Sequence, residues 1–378
     1  MEFNRLGDYA DIIKQTNPES SCWIRTNSET LPGRNLFVYF YLCLDALKRG
    51  WLEGCRRIIG FDGCFLKGIC KGELLVTVGR NGNNQIFPIA WAVVDQETKH
   101  SCSWFITYLI ADLQLRDDVD LTLMSDMQKR LVPTIRELLP MAEHKMCARH
   151  IWSNWRGEET RKQLWRCAKA SYDVKFKEEL ETMNKLGYKI CEDLLKYDKM
   201  YWCRVYFRED SKCDVIENNM CETFNSWIVG PRHKSVITML EEIRHKIMNR
   251  TIEMRKFAGT WVTDIAPIAR MILEENKALF RRCKDMWNAG HGFEVDEGVY
   301  RFIVDFRTMT CTCRSWMLRG IPCQHAVCAF YDREMDLDDY VAHWYRKKTF
   351  LKSYQHFIQP SPNMKMWQES TNPCIEPP

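Results

Sequence analysis

The spacing of apolar residues changes several times along this chain, and each change marks a boundary. From Arg56, RRIIGFDGCFLKG is a β-branched apolar run interrupted near its end by an acidic residue, Asp62. GELLVTVGRNGNNQIFPIAWAVVDQE reads as two strands joined by a Gly/Asn turn. In SCSWFITYLIADLQ the bulky residues Trp104, Tyr108, Leu109 and Leu113 fall at helical spacing. DLTLMSD is a short buried strand that ends at Asp126, and QKRLVPTIRELLP predicts a helix with Pro133 near its start. EHKMCARHI is a further strand, with Cys147 and His150 at its end.

Outside this block the pattern is helical. Residues 1–50 read as a mixed, helical lead-in whose aromatic run FVYFYLCLDALKRGW packs onto the next domain. Residues from about 151 to 215 are charged and aromatic, with little Pro or Gly and no strand signal, and read as an insertion. Asn218 and Asn219 then open a helix carrying Glu222, Asn225 and Ser226, and a second helical region runs from about 235 to 285. RFIVDFRTMTCTC alternates apolar and polar residues as a strand does, and HAVCAFYDR reads as a short helix. Pro360, Pro362, Pro373, Pro377 and Pro378 crowd the end, which reads as a loose tail.

The order strand, strand, strand, helix, strand, helix, strand is that of an α/β, ribonuclease-H-like fold. It divides the chain into a lead-in (1–50), a ribonuclease-H-like domain (51–230) with its helical insertion, a helical region (231–290), a small Cys/His segment (296–333) and a tail (334–378). Composition agrees: 378 residues, 46 % of them hydrophobic, can bury a sizeable core over about two or three domains. A net charge of +4 permits nucleic-acid binding only through a local basic surface. The start, MEFNRLGDYADIIKQTNPESS, has no apolar signal region, and no run reaches the roughly 18 apolar residues of a membrane span, so no membrane partner is expected. The 18 cysteines are then expected to be reduced, and clustered Cys and His to be metal ligands.

One cluster has that form. In CTCRSWMLRGIPCQH, Cys311 and Cys313 share one face of a strand, Gly320 and Pro322 suit a turn, and Cys323 and His325 follow at the start of a helix. Three thiolates and one imidazole make a tetrahedral Zn²⁺ set, structural because no position is left for water. The spacing Cys-x-Cys…Cys-x-His resembles the SWIM zinc finger, which implies DNA or protein binding.

A second group is acidic. Asp62 and Asp126 lie at the ends of the first and fourth predicted strands, neighbours in a ribonuclease-H-like sheet. Glu222, on a helix packed against that sheet, completes a set suited to Mg²⁺ or Mn²⁺. Such a site supports in-line displacement at phosphorus. Acidic residues at strand ends are also common without any metal, and 50 residues here are Asp or Glu.

Six blocks in order resemble plant Mutator-like (MULE, MuDR-type) transposases: IIGFDGCFLKG, ELLVTVGRNGNNQIFPIAWAVVDQE, LMSDMQKRL, AEHKMCARHIWSNW, CDVIENNMCETFNSWI and CTCRSWMLRGIPCQHAVCAF. The resemblance implies a DDE catalytic domain with a helical insertion, the triad Asp62, Asp126 and Glu222, and a Cys-x-x-His pair, Cys147 and His150, which we place beside the active site. Core packing or a DNA-orienting role are its alternatives. It also implies an N-terminal DNA-binding domain and a basic tail not found in this sequence, hence the expectation of a truncated copy.

Lys129 and Arg130, close to Asp126, and Arg161, Lys162, Arg166 and Lys169, on one helical side, are candidate phosphate contacts, each with a solvated helix face as its alternative. The GRNGN segment lacks the Gly-Lys-Ser/Thr of a phosphate loop and is a turn. Three functions stand open: a transposase that cleaves and joins DNA, a DNA-binding regulator derived from one, and an inert relic. DNA as partner implies a nuclear protein, and the family implies homo-oligomers.

Overall fold

The computed structural model describes residues 2–29, 33–115, 118–126, 131–155 and 157–378. Its centre is a mixed sheet. Three antiparallel strands, β3 (Ile58–Phe65), β4 (Glu73–Arg80) and β5 (Ile86–Val94), are followed by β6 (Thr122–Ser125) and β7 (Glu143–Met146), which run parallel to β3 and to each other. β4 and β5 are buried on nearly every residue, because helices cover both faces of the sheet at this point. The turn between them is built by Asn81, whose Oδ1 accepts the backbone N–H groups of Asn83 and Gln85, so GRNGN is a turn.

Residues 1–50 depart from the helical expectation. α1 (Leu6–Thr16) and α2 (Asp45–Gly54) flank two strands, β1 (Ser21–Asn27) and β2 (Asn35–Cys43), and β2 pairs with β5. The sheet order is β1-β2-β5-β4-β3-β6-β7. The run Phe37–Leu42 is apolar throughout, and a continuous apolar run does not distinguish a buried strand from a buried helix.

On one face lies α3 (Lys99–Leu113), started by a capping box between Thr98 and Ser101 and holding Tyr41 through Asp112 (2.7 Å). α4 (Leu131–Leu138) packs beside it. The stretch after β7 forms α5 (Ala148–Ser153), α6 (Glu158–Lys169), α7 (Asp173–Leu186) and α8 (Tyr188–Leu195), with a core of its own around Leu164, Phe176, Met183 and Trp202. The chain then returns as α9 (Asn219–Trp227) across β3, β4 and β5. α10 (Val236–Gly259) and α11 (Pro267–Leu279) follow. The carboxylate of Glu2 accepts the N–H groups of Ile237 and Thr238 at the start of α10.

A second sheet, β8 (Cys283–Trp287), β9 (Gly292–Glu297), β10 (Tyr300–Asp305) and β11 (Thr310–Cys311), begins upstream of residue 296 and packs against α12 (Ser315–Arg319) and α13 (Gln324–Asp332). It docks firmly: Leu318 joins the core of the α5–α8 region, and Asp214 sits between Arg204 (3.0 Å) and Arg319 (2.7 Å).

The tail is not loose. After α14 (Lys347–Lys352), Tyr354, Ile358 and Trp367 are buried in the main core, and β12 (Ile375–Glu376) pairs in parallel with β2. The buried Arg244 of α10 donates to Gln359 O and Ser361 Oγ. Its prolines hide four large apolar residues, spaced widely enough to reach successive parts of the core. Among the described residues no helix is long and apolar enough to cross a membrane.

Candidate functional site

β3 and β6 are parallel neighbours, with Gly60 opposite Met124. Asp62 and Asp126 each lie two residues further on, so the register carries both to the same end and the same face. Gly60 lets α9 approach: a Cβ there would come within 2.8 Å of Asn218, Met220 and Cys221. That close approach brings Asn225 Nδ2 to 2.7 Å from Asp62 Oδ2, and Asn218 Nδ2 to 3.0 Å from Phe61 O. Glu222, one turn before Asn225, meets Arg149 at 3.5 Å, and the same guanidinium binds Glu217 through Nε at 3.0 Å.

Burial and neighbouring negative charge raise the pKa of both aspartates. Burial pushes the Asp62 carboxyl up to about 8, helped by the charges of Asp126, Glu97 and Glu222 and opposed by the Gly63 N–H. Asp126 is raised by burial and by Glu222, against the pull of His150 and a hydrogen bond from Asn218. His150 Nε2 lies 3.1 Å from Asp126 Oδ2. Cys147 caps α5 at the end of β7, its thiol buried, pushed up to about 11 by burial, and accepting the Asn218 N–H at 3.2 Å. Donor atoms of Asp126, Cys147 and His150 lie within 4.8 Å of one another, whereas Asp62 and Glu222 belong to no such close set among the described residues.

Linkage gives the sign of a pH effect. Asp62 holds its proton more tightly folded, at about 8, than at its ordinary 3.8. The stability this brings is full below pH about 4 and is lost as pH rises through about 8. Without divalent cations, Asp62→Asn is therefore expected to melt above the wild type at about pH 8.5 and level with it below pH about 4. A wild type as stable as the variant at the higher pH would contradict this.

The Cys/His segment is compact. β11 pairs with β10, placing Cys311 opposite Val304, and a left-handed Arg314 (φ 61°) turns the chain after Cys313. Left-handed Gly320 (φ 75°) ends α12, and Cys323 caps α13. All four side chains are buried, and their donor atoms lie within 4.8 Å of one another. His325 Nδ1 faces Cys311 Sγ at 3.5 Å and Cys323 Sγ at 3.9 Å. Hydrogen bonds from Cys311 and Cys323 hold the Cys313 thiol well below its ordinary value despite burial. A buried, convergent set of three sulfurs and one imidazole fits zinc.

Residues 58–154 match the model of the MULE transposase domain, and residues 302–334 that of the SWIM zinc finger. The chain carries a MULE transposase domain and a SWIM zinc finger. No curated protein matches the chain. The MULE match runs from the first residue of β3 to just past α5 and so holds Asp62, Asp126, Cys147 and His150, while Glu222 lies beyond it. The SWIM match holds all four Cys and His residues.

Two partners of these sites carry no signal in the sequence. One is Glu97, just past β5, whose carboxylate would meet a Cβ on Gly63 at 2.6 Å. The other is Glu297 in β9, 2.9 Å from His325 Nε2. With Nδ1 turned to the SWIM thiols, Nε2 donates to Glu297, and Phe302 stacks on the ring at 4.0 Å. A carboxylate in this position fixes the tautomer and strengthens the ligand. Glu297→Gln is expected to weaken zinc binding about 10-fold or more, read by competition with a chromophoric chelator. Unchanged affinity would show that Glu297 does not orient the ligand.

The basic stripe on α6 divides. Arg161 turns inward, donating to Trp155 O (2.8 Å) and lying 4.4 Å over Trp152. Lys162, Arg166 and Lys169 are exposed, with Lys162 paired to Glu158 and Glu159. Lys129 and Arg130 lie outside the described residues.

Proposed function

We propose that this protein is a transposase that binds DNA and cleaves and joins its strands on a ribonuclease-H-like sheet. The observation that carries the reading is the in-register placement of two aspartates on adjacent parallel strands: Asp62, which lies within β3 and not at its end as the sequence suggests, and Asp126, just past β6, with Glu222 on the helix crossing them. Three antiparallel strands followed by two parallel ones support the fold assignment.

Asp62, Asp126 and Glu222 would hold Mg²⁺ or Mn²⁺, hard cations that activate water or a 3′-hydroxyl and stabilise the leaving oxygen at phosphorus. The raised pKa values of Asp62 and Asp126 support this assignment, since buried carboxylates close to other negative charge are relieved by a cation. Around them the chain's own groups orient. Asn225 fixes one oxygen of Asp62, and His150 fixes one oxygen of Asp126. Arg149, between Glu217 and Glu222, is placed to exchange a carboxylate for a DNA phosphate. DNA as substrate makes the nucleus its place of work, and joining two ends calls for more than one copy.

One contact favours the second reading, a transposase-derived protein that binds DNA without cutting it: Glu222 is already paired with Arg149. Labelled duplex DNA incubated with the protein in Mg²⁺ or Mn²⁺ separates the two. Strand cleavage supports the enzyme; DNA retained uncut supports the binding protein.

A further inference from the structure

Between α5 and α6 runs a groove of about 600 Å³, large enough for a nucleotide-sized ligand. Two half-buried indoles, Trp152 and Trp165, line it, with the cations Arg149, Lys162, Arg166 and Lys169 around them and Glu217 as the one acid. It meets the carboxylate site at Arg149, which binds Glu217 inside the groove and Glu222 beyond it.

The charges do not account for this groove by themselves. Glu217 offsets Arg149, and Glu158 and Glu159 offset Lys162. Arg166 meets Gln163 at 3.4 Å and Lys169 lies 5.7 Å from the centre of the Trp165 ring, so these two face no carboxylate among the described residues. Two cations one turn apart on α6 can follow a phosphate chain but give a modest field. What remains is aromatic. A duplex presents base edges and phosphates, its base faces being stacked on one another. Indole faces recessed in a groove are matched by a base that has left the stack.

We propose that this groove is a binding site for an unpaired nucleotide of DNA, next to the strand ends on which the carboxylates act. It rests on the reading of DNA as the substrate. The single strand beside the cut enters the groove, one base stacks on Trp165 or Trp152, and its phosphates pass Arg166 and Lys169. The competing account is that Arg161 over Trp152 and Lys169 over Trp165 merely cap two rings of the helical region.

The test uses the full chain and fluorescence anisotropy on two labelled DNAs, a blunt duplex and the same duplex with a single-stranded 3′ extension. The extension is expected to bind about 10-fold tighter, the scale of one stacked base. Trp165→Leu is expected to remove most of that advantage and leave blunt-duplex binding within about 2-fold, since it adds no charge to the groove. A fluorescent 2-aminopurine in the extension, with unmodified protein, gives a readout that needs no variant: stacking on indole quenches it. Equal affinity for the two DNAs, equal weakening of both by Trp165→Leu, or 2-aminopurine that stays bright when bound would each overturn the proposal while leaving DNA binding intact. Failure to bind either DNA would instead overturn the reading beneath it.

Discussion

Asp126→Asn is expected to lower metal-dependent strand cleavage by about 10³-fold, the upper end of what losing one group that stabilises the transition state removes. The change is close to isosteric. The amide oxygen keeps a partner for His150, which lies 3.1 Å from the present carboxylate, so the end of β6 has no reason to move. What it loses is the charge. Asp126 is one of the groups that keep the Asp62 proton bound up to about pH 8, so its removal lets Asp62 ionise at lower pH. The variant should therefore still bind DNA, and should show weakened Mn²⁺ binding by titration. Cleavage that survives Asp126→Asn would sink the carboxylate assignment. A wild type that retains DNA but never cuts it would move the assignment to the non-catalytic relative.

Cys323→Ser, or removal of zinc by a chelator, is expected to unfold residues 283–332 while the sheet around Asp62 stays protected from hydrogen exchange. Structural zinc contributes on the order of 10 kcal/mol to segments of this kind, and here the apolar cluster of Phe293, Val295, Phe302, Val304, Trp316 and Phe330 is gathered around the four ligands and includes three of them. The effect should spread one step. Burial works against a charge on Asp214, yet Arg204 and Arg319 hold its carboxyl far below the usual range. Arg319 belongs to α12 and leaves with the finger. Breaking a buried pair by removing one partner costs about 3–5 kcal/mol, so protection near Asp214 and the adjoining helices should fall too. Exchange that rises throughout the sheet would mean that the finger is a part of the main core. Full protection of residues 311–325 in the zinc-free protein would mean that zinc does not hold it.

The parts of these sites that were legible beforehand are those written in a few consecutive residues. Cys311 and Cys313 lie two apart on a strand and Cys323 and His325 two apart at a helix start, so the ligand pairs follow from local geometry. Asp62 and Asp126 each close a short apolar run, and Asn81 holds its own turn through groups two and four residues away. Where local signals are ambiguous, the sequence does not decide the element. The apolar run of β2 satisfied helix and strand alike, and the prolines of the tail concealed Trp367 and Ile375.

By itself, then, the amino-acid order determined which residues bear the chemistry and which segments present them, because side-chain type, periodicity and turn chemistry act over one or two turns of chain. Only the tertiary structure decided which of them meet. Asn225 reaches Asp62 across 163 positions, and Glu297 reaches His325 across 28. Arg149 joins the carboxylate site to the groove of Trp152 and Trp165 because the starts of α5 and α9 meet, with Cys147 accepting the Asn218 N–H and Ala148 N donating to Ile216 O. The contact of Asn225 with Asp62 depends on a missing Cβ at Gly60, and the meeting of Asp62 with Asp126 on the register of β3 with β6; packing sets both through the core at once.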